Sequence, residues 1–120
     1  MRYKITPVPK PRQTRSDKWN ERPCVMRYRS FADEARALGI KIPDSAATVI
    51  FSMPMPSSWS KKKKAAMSCK PHKQKPDIDN LLKALLDATM KEDCSVWDIR
   101  AMKLWATEGS IEVMQFGSMD

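Results

Sequence analysis

Apolar and polar positions alternate over Tyr3–Pro7, the two-residue period of a half-buried strand. The stretch from Pro9 to Arg15 interrupts it with prolines that offer no backbone N–H and with basic side chains, so no regular structure is predicted there. Arg27–Leu38 fits a short amphipathic helix: Ser30 can cap it, Phe31, Ala35 and Leu38 face inward, and Gly39 closes it. Ala47–Met53 is apolar and β-branched and reads as a buried strand that Pro54 and Pro56 end. Ser57–Pro76 is polar and lysine-rich and reads as a loop. Asn80–Lys91 carries Leu81, Leu82, Leu85, Leu86 and Ala88 on one arc, with Asp79 as candidate cap, and is the best helix in the chain. After the turn at residues 92–95, Val96–Ala106 and Ser110–Gln115 read as strands joined by a hairpin at Thr107-Glu108-Gly109. The order is β-α-β-α-β-β, an α/β fold of α+β type with a small mixed sheet flanked by helices.

With 120 residues, 42% of them hydrophobic, the chain fits one domain over residues 1–120. Such a domain buries roughly two thirds of its unfolded surface. A deep cleft would consume that core, so a site should be shallow or lie between subunits. Apolar runs are too short to span a bilayer, and the start of the chain lacks the apolar region of a signal peptide. Cys24, Cys69 and Cys94 are odd in number and widely spaced, as free thiols of a reducing cytoplasm would be.

Charge changes the picture. Residues 1–75 hold 18 Lys/Arg against 5 Asp/Glu, whereas residues 76–120 hold 4 against 9. A polyanion is drawn to the first part and repelled by the second unless a cation intervenes. The split suggests nucleic acid as partner with a divalent ion as mediator; a solvated basic surface is the plainer reading. Lys61, Lys62, Lys63 and Lys64 form a run that is either a solvated face or a phosphate-gripping segment, and Trp59 either stacks on an unpaired base or anchors the loop.

The chemistry concentrates at Pro76-Asp77-Ile78-Asp79-Asn80-Leu81-Leu82-Lys83, followed by Glu92-Asp93. In an extended backbone Asp77 and Asp79 project to one side, and paired carboxylates repel unless a cation joins them. Mg²⁺ favours one or two carboxylates, with water and phosphate oxygens completing its shell. Lys83, one turn beyond Asp79, can share that side and stabilise transition-state charge. Spacing alone favours two helix-capping carboxylates and a surface Asp79–Lys83 ion pair, because Asp-x-Asp is a common coincidence. Cys69 and His72 have zinc-like spacing but no second ligand pair, and no Walker A or Rossmann glycine pattern calls for a nucleotide cofactor.

The segment Asp77-Ile-Asp79-Asn80-Leu81-x-Lys83, then Asp87, then Glu92-Asp93-x-x-Val96, resembles the RusA family of Holliday junction resolvases of bacteria and their phages. The agreement extends to Lys103 and the terminal hairpin, and the basic stretch after Pro7 is similar to that of phage members. The resemblance implies a cytoplasmic homodimer that nicks four-way DNA junctions symmetrically with Mg²⁺, or Mn²⁺ in its place. It implies catalytic, metal-holding aspartates at Asp77, Asp79 and Asp93 and an essential lysine at Lys83. Glu92 stands where the family commonly has a second aspartate. Hydrolysis at such a centre would leave a 5′-phosphate and a 3′-hydroxyl. Candidate DNA contacts are Lys10, Arg12, Arg15, Lys61, Lys62, Lys63, Lys64, Lys73, Lys75 and Lys103. The alternatives are a non-catalytic basic nucleic-acid-binding module and a nuclease for flap or other branched DNA. A twelve-residue helix spans about 18 Å, so Asp77 and Asp79 would meet Asp93 only if the chain folds back or a partner subunit supplies it. Leu82, Leu85, Leu86 and Thr89 are candidates for the subunit contact.

Overall fold

A computed structural model describes residues 1–11, 23–90 and 95–115, so Arg12, Arg15, Glu92, Asp93 and Cys94 lie outside the described residues. Within these residues the elements are β1 (Arg2–Tyr3), α1 (Pro23–Ala37), β2 (Ala47–Pro54), α2 (Lys61–Met67), α3 (Ile78–Thr89), β3 (Ile99–Ala106) and β4 (Ser110–Gln115). The strands form one mixed sheet in the order β1-β4-β2-β3, with β2 parallel to β3 and antiparallel to β4. A parallel neighbour requires a crossover connection, which α3 supplies between β2 and β3. The α+β architecture is the one expected from the sequence, with one helix more.

That helix is α2, inside the segment read as a loop. Lysine and alanine are good helix formers, and Ser60 caps the turn by accepting the Lys63 N–H at 3.1 Å. Other boundaries move for local reasons. The first strand keeps only two residues, because the Ile5 N–H turns back to the Tyr3 carbonyl at 3.0 Å and takes the chain out of the sheet. Helix α1 begins at Pro23, where a proline loses nothing because the first-turn N–H has no helical acceptor. Ser30 therefore lies inside the helix rather than at its cap. The helix closes at Gly39 (φ 69°), whose N–H reaches the Arg36 carbonyl at 3.0 Å while the Ile40 N–H reaches Ala35 at 3.3 Å. This closure buries Ile40 and turns Leu38 outward, contrary to the inward position expected for it.

Helix α3 starts two residues before the expected Asn80 and ends at Thr89. Its buried stripe is Leu81, Ala84, Leu85 and Ala88, a period-3.6 face that joins the same core as Val49, Phe51 and Met53 of β2 and Ile111 and Val113 of β4, with α1 as its neighbouring helix. Leu82 and Leu86 sit at the margins of that stripe. Strand β3 begins at Ile99 rather than Val96, because Trp97 and Asp98 are spent fastening the start of β2. The Trp97 N–H donates to the Asp44 carbonyl at 3.0 Å, and Asp98 Oδ2 accepts the Ala46 N–H at 2.9 Å. The outer edge of β3 is partly covered by residues 69–72: Cys69 N–H reaches the Trp105 carbonyl, Trp105 N–H reaches Lys70, and His72 N–H reaches Lys103, all at 2.9–3.0 Å. That cover leads straight to the acidic motif.

Candidate active site

The start of α3 is where the motif becomes geometry. Asp77 is the N-cap residue, in extended backbone (φ −69°, ψ 146°), and its carbonyl accepts the Leu81 N–H at 3.2 Å. Its side chain makes no capping hydrogen bond. The N-terminus of a helix normally uses a carboxylate in this position to satisfy its own amides, and here the carboxylate is left unused. Asp79 follows in the first helical turn, so the alternation of extended backbone does not run through the pair as the sequence reading had it. Both stand at the positive end of the helix dipole, which stabilises negative charge.

Asp77, Asp79 and Lys83 are all exposed, and among the described residues none of them forms an ion pair. The surface Asp79–Lys83 pair that the spacing also allowed is not formed. Two exposed carboxylates free of capping bonds and cation partners, with a lysine one turn away, suit a hard divalent ion that keeps most of its shell for water and phosphate. Asp93, the third expected ligand, lies outside the described residues; among them no cluster of three ligating side chains occurs.

Basic residues flank this helix start, one through the fold and others along the chain. Through the fold, the Lys10 N–H donates to the Asn80 carbonyl at 3.2 Å, laying the proline-rich stretch against the first turn of α3. The Lys10 side chain then turns to Asp87, two turns along α3, where both members of the ion pair are three-quarters buried. Lys10 thus ties the N-terminal segment to α3 as well as belonging to its basic run. Tyr28 lies in the same field; burial pushes its phenol pKa up, with Lys10 opposing and Asp87 reinforcing.

Along the chain, Lys73 and Lys75 lie just before Asp77, and the lysines of α2 precede them. Lys61 and Lys62 are exposed at the start of α2. Positive side chains are unfavourable at a helix N-terminus, and this one is held by the Ser60 cap and by packing beneath it. Lys63 Nζ lies 4.3 Å from the centre of the Trp59 ring, and Trp59 packs on Trp105 with centroids 4.8 Å apart. Trp59 therefore anchors the lysine helix. The His72 ring also packs on Trp105, with centroids 4.2 Å apart. His72 is 6% exposed and its Nδ1 has no partner among the described residues. Its pKa is lowered, first by burial and then by the charge of Lys103. Its partner in the zinc-like spacing, Cys69, is exposed with a free thiol.

Lys103 is half-buried on the face of β3 that α3 covers, beside Phe51 of β2. Its ammonium donates to the Gln74 carbonyl at 2.7 Å and the Pro76 carbonyl at 2.6 Å. The sequence offers Lys103 as a DNA contact, and nothing in the residues around it points to these two carbonyls. A pocket lies elsewhere, lined by Ile5, Val8, Met26, Arg27, Phe31 and Glu108 among others, on the β1 side of the sheet. The acidic pair at α3 sits on the open surface.

The family model of endodeoxyribonuclease RusA matches residues 4–114, nearly the whole chain, from just after β1 to within one residue of the end of β4. No curated protein matches the chain. The chain belongs to the RusA endodeoxyribonuclease family, a family of Holliday junction resolvases, and is accordingly a nuclease that acts on DNA. No helix among the described residues is long and apolar enough to cross a membrane.

Proposed function

We propose that the protein resolves four-way DNA junctions by paired, symmetric phosphodiester hydrolysis, as a homodimer that uses Mg²⁺ or, in its place, Mn²⁺. The observation that carries this reading is the Asp77 carboxylate, which caps α3 by position yet makes no capping bond, near an Asp79 that has no ion-pair partner among the described residues. Asp77 and Asp79, with Asp93, hold the ion. A divalent ion there contributes Lewis acidity toward the phosphate and the attacking water. Lys83 offsets charge on the departing oxygen. Lys61, Lys62, Lys73 and Lys75, together with the basic stretch of Lys10, Arg12 and Arg15, hold the junction arms.

The test compares a synthetic four-way junction with a linear duplex of the same sequence, with Mg²⁺ and with EDTA. Mg²⁺-dependent symmetric cuts confined to the junction are expected. Asp77→Asn, Asp79→Asn and Asp93→Asn should each abolish cutting while binding survives or tightens, because each removes a ligand and lessens repulsion of phosphate. Loss of binding in step with loss of cutting would count against a metal-holding role. Cutting of flaps in preference to junctions would move the protein to the other branched-DNA class.

A further inference from the structure

Residue 103 holds the approach to Asp77 at three points. Its carbonyl accepts the His72 N–H at 3.0 Å, and its ammonium reaches the carbonyls of Gln74 at 2.7 Å and Pro76 at 2.6 Å. These three contacts fall on alternate residues of the five that lead from the β3 edge to α3. The Pro76 carbonyl belongs to the peptide plane shared with Asp77. Its orientation therefore sets where the chain delivers Asp77 Cα and, with it, the carboxylate. Beyond Asp77 the chain is fixed again by the Leu81 N–H on the Asp77 carbonyl at 3.2 Å. Between His72 and Asp77 the ammonium of Lys103 supplies the tertiary hydrogen bonds to the turn among the described residues.

The chemistry requires lysine. One tetrahedral ammonium carries three donors at a single point and can serve two carbonyls that converge on it, whereas a guanidinium spreads its donors over a planar fork. The half-buried position and two short charge-assisted bonds also leave this side chain poorly placed to reach out to a phosphate.

We infer that Lys103 is a positioning residue: by bridging the Gln74 and Pro76 carbonyls it sets the placement of Asp77 for metal binding, and it does not contact DNA. The inference rests on the reading of Asp77 and Asp79 as metal-holding carboxylates. Supporting groups that orient a ligand commonly change metal affinity by about 10- to 100-fold when removed.

Three variants separate the roles: Lys103→Met removes the donors at similar volume, Lys103→Arg keeps the charge, and Lys73→Ala removes an exposed lysine from the same segment. Mn²⁺ affinity is measured by calorimetry without DNA, and junction affinity by anisotropy across a salt series without metal. Thermal melts confirm that each variant folds. Lys103→Met should lose at least about tenfold in Mn²⁺ affinity and leave the junction affinity and its salt slope as in the unaltered protein. Lys103→Arg should share the metal defect, although a mere phosphate contact would tolerate it. Lys73→Ala should do the reverse, binding Mn²⁺ normally with a shallower salt slope. Wild-type Mn²⁺ affinity in Lys103→Met, or a reduced salt slope, would overturn the inference. Hydrogen exchange of the peptide covering residues 73–82 decides the structural half independently of metal. Faster exchange there in Lys103→Met, with β2 and β4 unchanged, is expected, and unchanged exchange would refute it. If the unaltered protein binds no Mn²⁺, the metal reading is what fails, and the exchange result still judges the placement of the turn.

Discussion

The four consecutive lysines of α2 are not equivalent, and the difference is measurable. Lys61 and Lys62 are exposed and engage no partner among the described residues, whereas Lys63 rests on Trp59 at 4.3 Å and Lys64 is half-buried. Each phosphate contact contributes about 0.9 to the slope of log affinity against log salt on duplex DNA. Replacing Lys61 and Lys62 together with alanine should then flatten that slope by about 1.8. Between 50 and 200 mM salt the unaltered protein should lose about tenfold more affinity than the double variant, by the same relation. Lys63→Ala should change the slope little and instead cost about 0.5–1 kcal/mol of stability, the usual size of an exposed cation–π contact. Fluorescence anisotropy with a labelled junction, paired with urea unfolding, measures both quantities. A slope unchanged in the double variant would return α2 to the role of a solvated surface. A Lys63→Ala slope as flat as that of the double variant would show that the Trp59 contact does not hold the ammonium back from DNA.

Mixing Asp79→Asn protein with Asp93→Asn protein should restore about a quarter of wild-type nicking if each site draws on both subunits of a two-fold dimer, since half the dimers are then mixed and each has one intact site; a self-contained site leaves the mixture dead. The Lys10–Asp87 pair should show a coupling of about 1–2 kcal/mol in a double-alanine cycle by urea unfolding, between the values for exposed pairs and for buried charged bonds; additive losses would mean that the contact is incidental. His72 should make the fold sensitive to acid. Its pKa lies below the ordinary 6.5 when folded, so the unfolded chain binds the proton first. Its contribution is complete above about pH 6.5 and is lost as pH falls toward the lower folded value. Comparing melting temperatures of the unaltered protein and His72→Gln from pH 8 to pH 5 tests this, with a smaller acid loss expected in the variant.

Much was legible in the sequence because it depends on neighbours within one element. The leucine stripe of α3, the apolar run of β2, the terminal hairpin and the acidic motif all repeat or cluster over a few residues, where side-chain period follows backbone geometry. The break from basic to acidic halves needed only a count. Helix ends were less legible because caps compete over two or three residues. The start of α3 at Ile78 rather than Asn80 makes Asp77 the cap residue, and only then does the unused carboxylate become meaningful. The lysine run was read by its charge, while its helix propensity and the Ser60 cap decided its structure.

Roles that depend on distant partners were decided by the tertiary fold alone. Lys10 meets Asp87 across 77 residues, and Lys103 reaches the Pro76 carbonyl across 27. Leu85 looked available for a subunit contact, but it is fully buried in its own core, and Thr89 is turned back to donate to the Leu85 carbonyl at 2.8 Å. A lysine's type announces a charge; whether that charge faces DNA, an aspartate or a turn of backbone depends on which strand lies beside which helix. Here the parallel pairing of β2 with β3, with α3 crossing between them, brings Lys103 beneath the turn that presents Asp77.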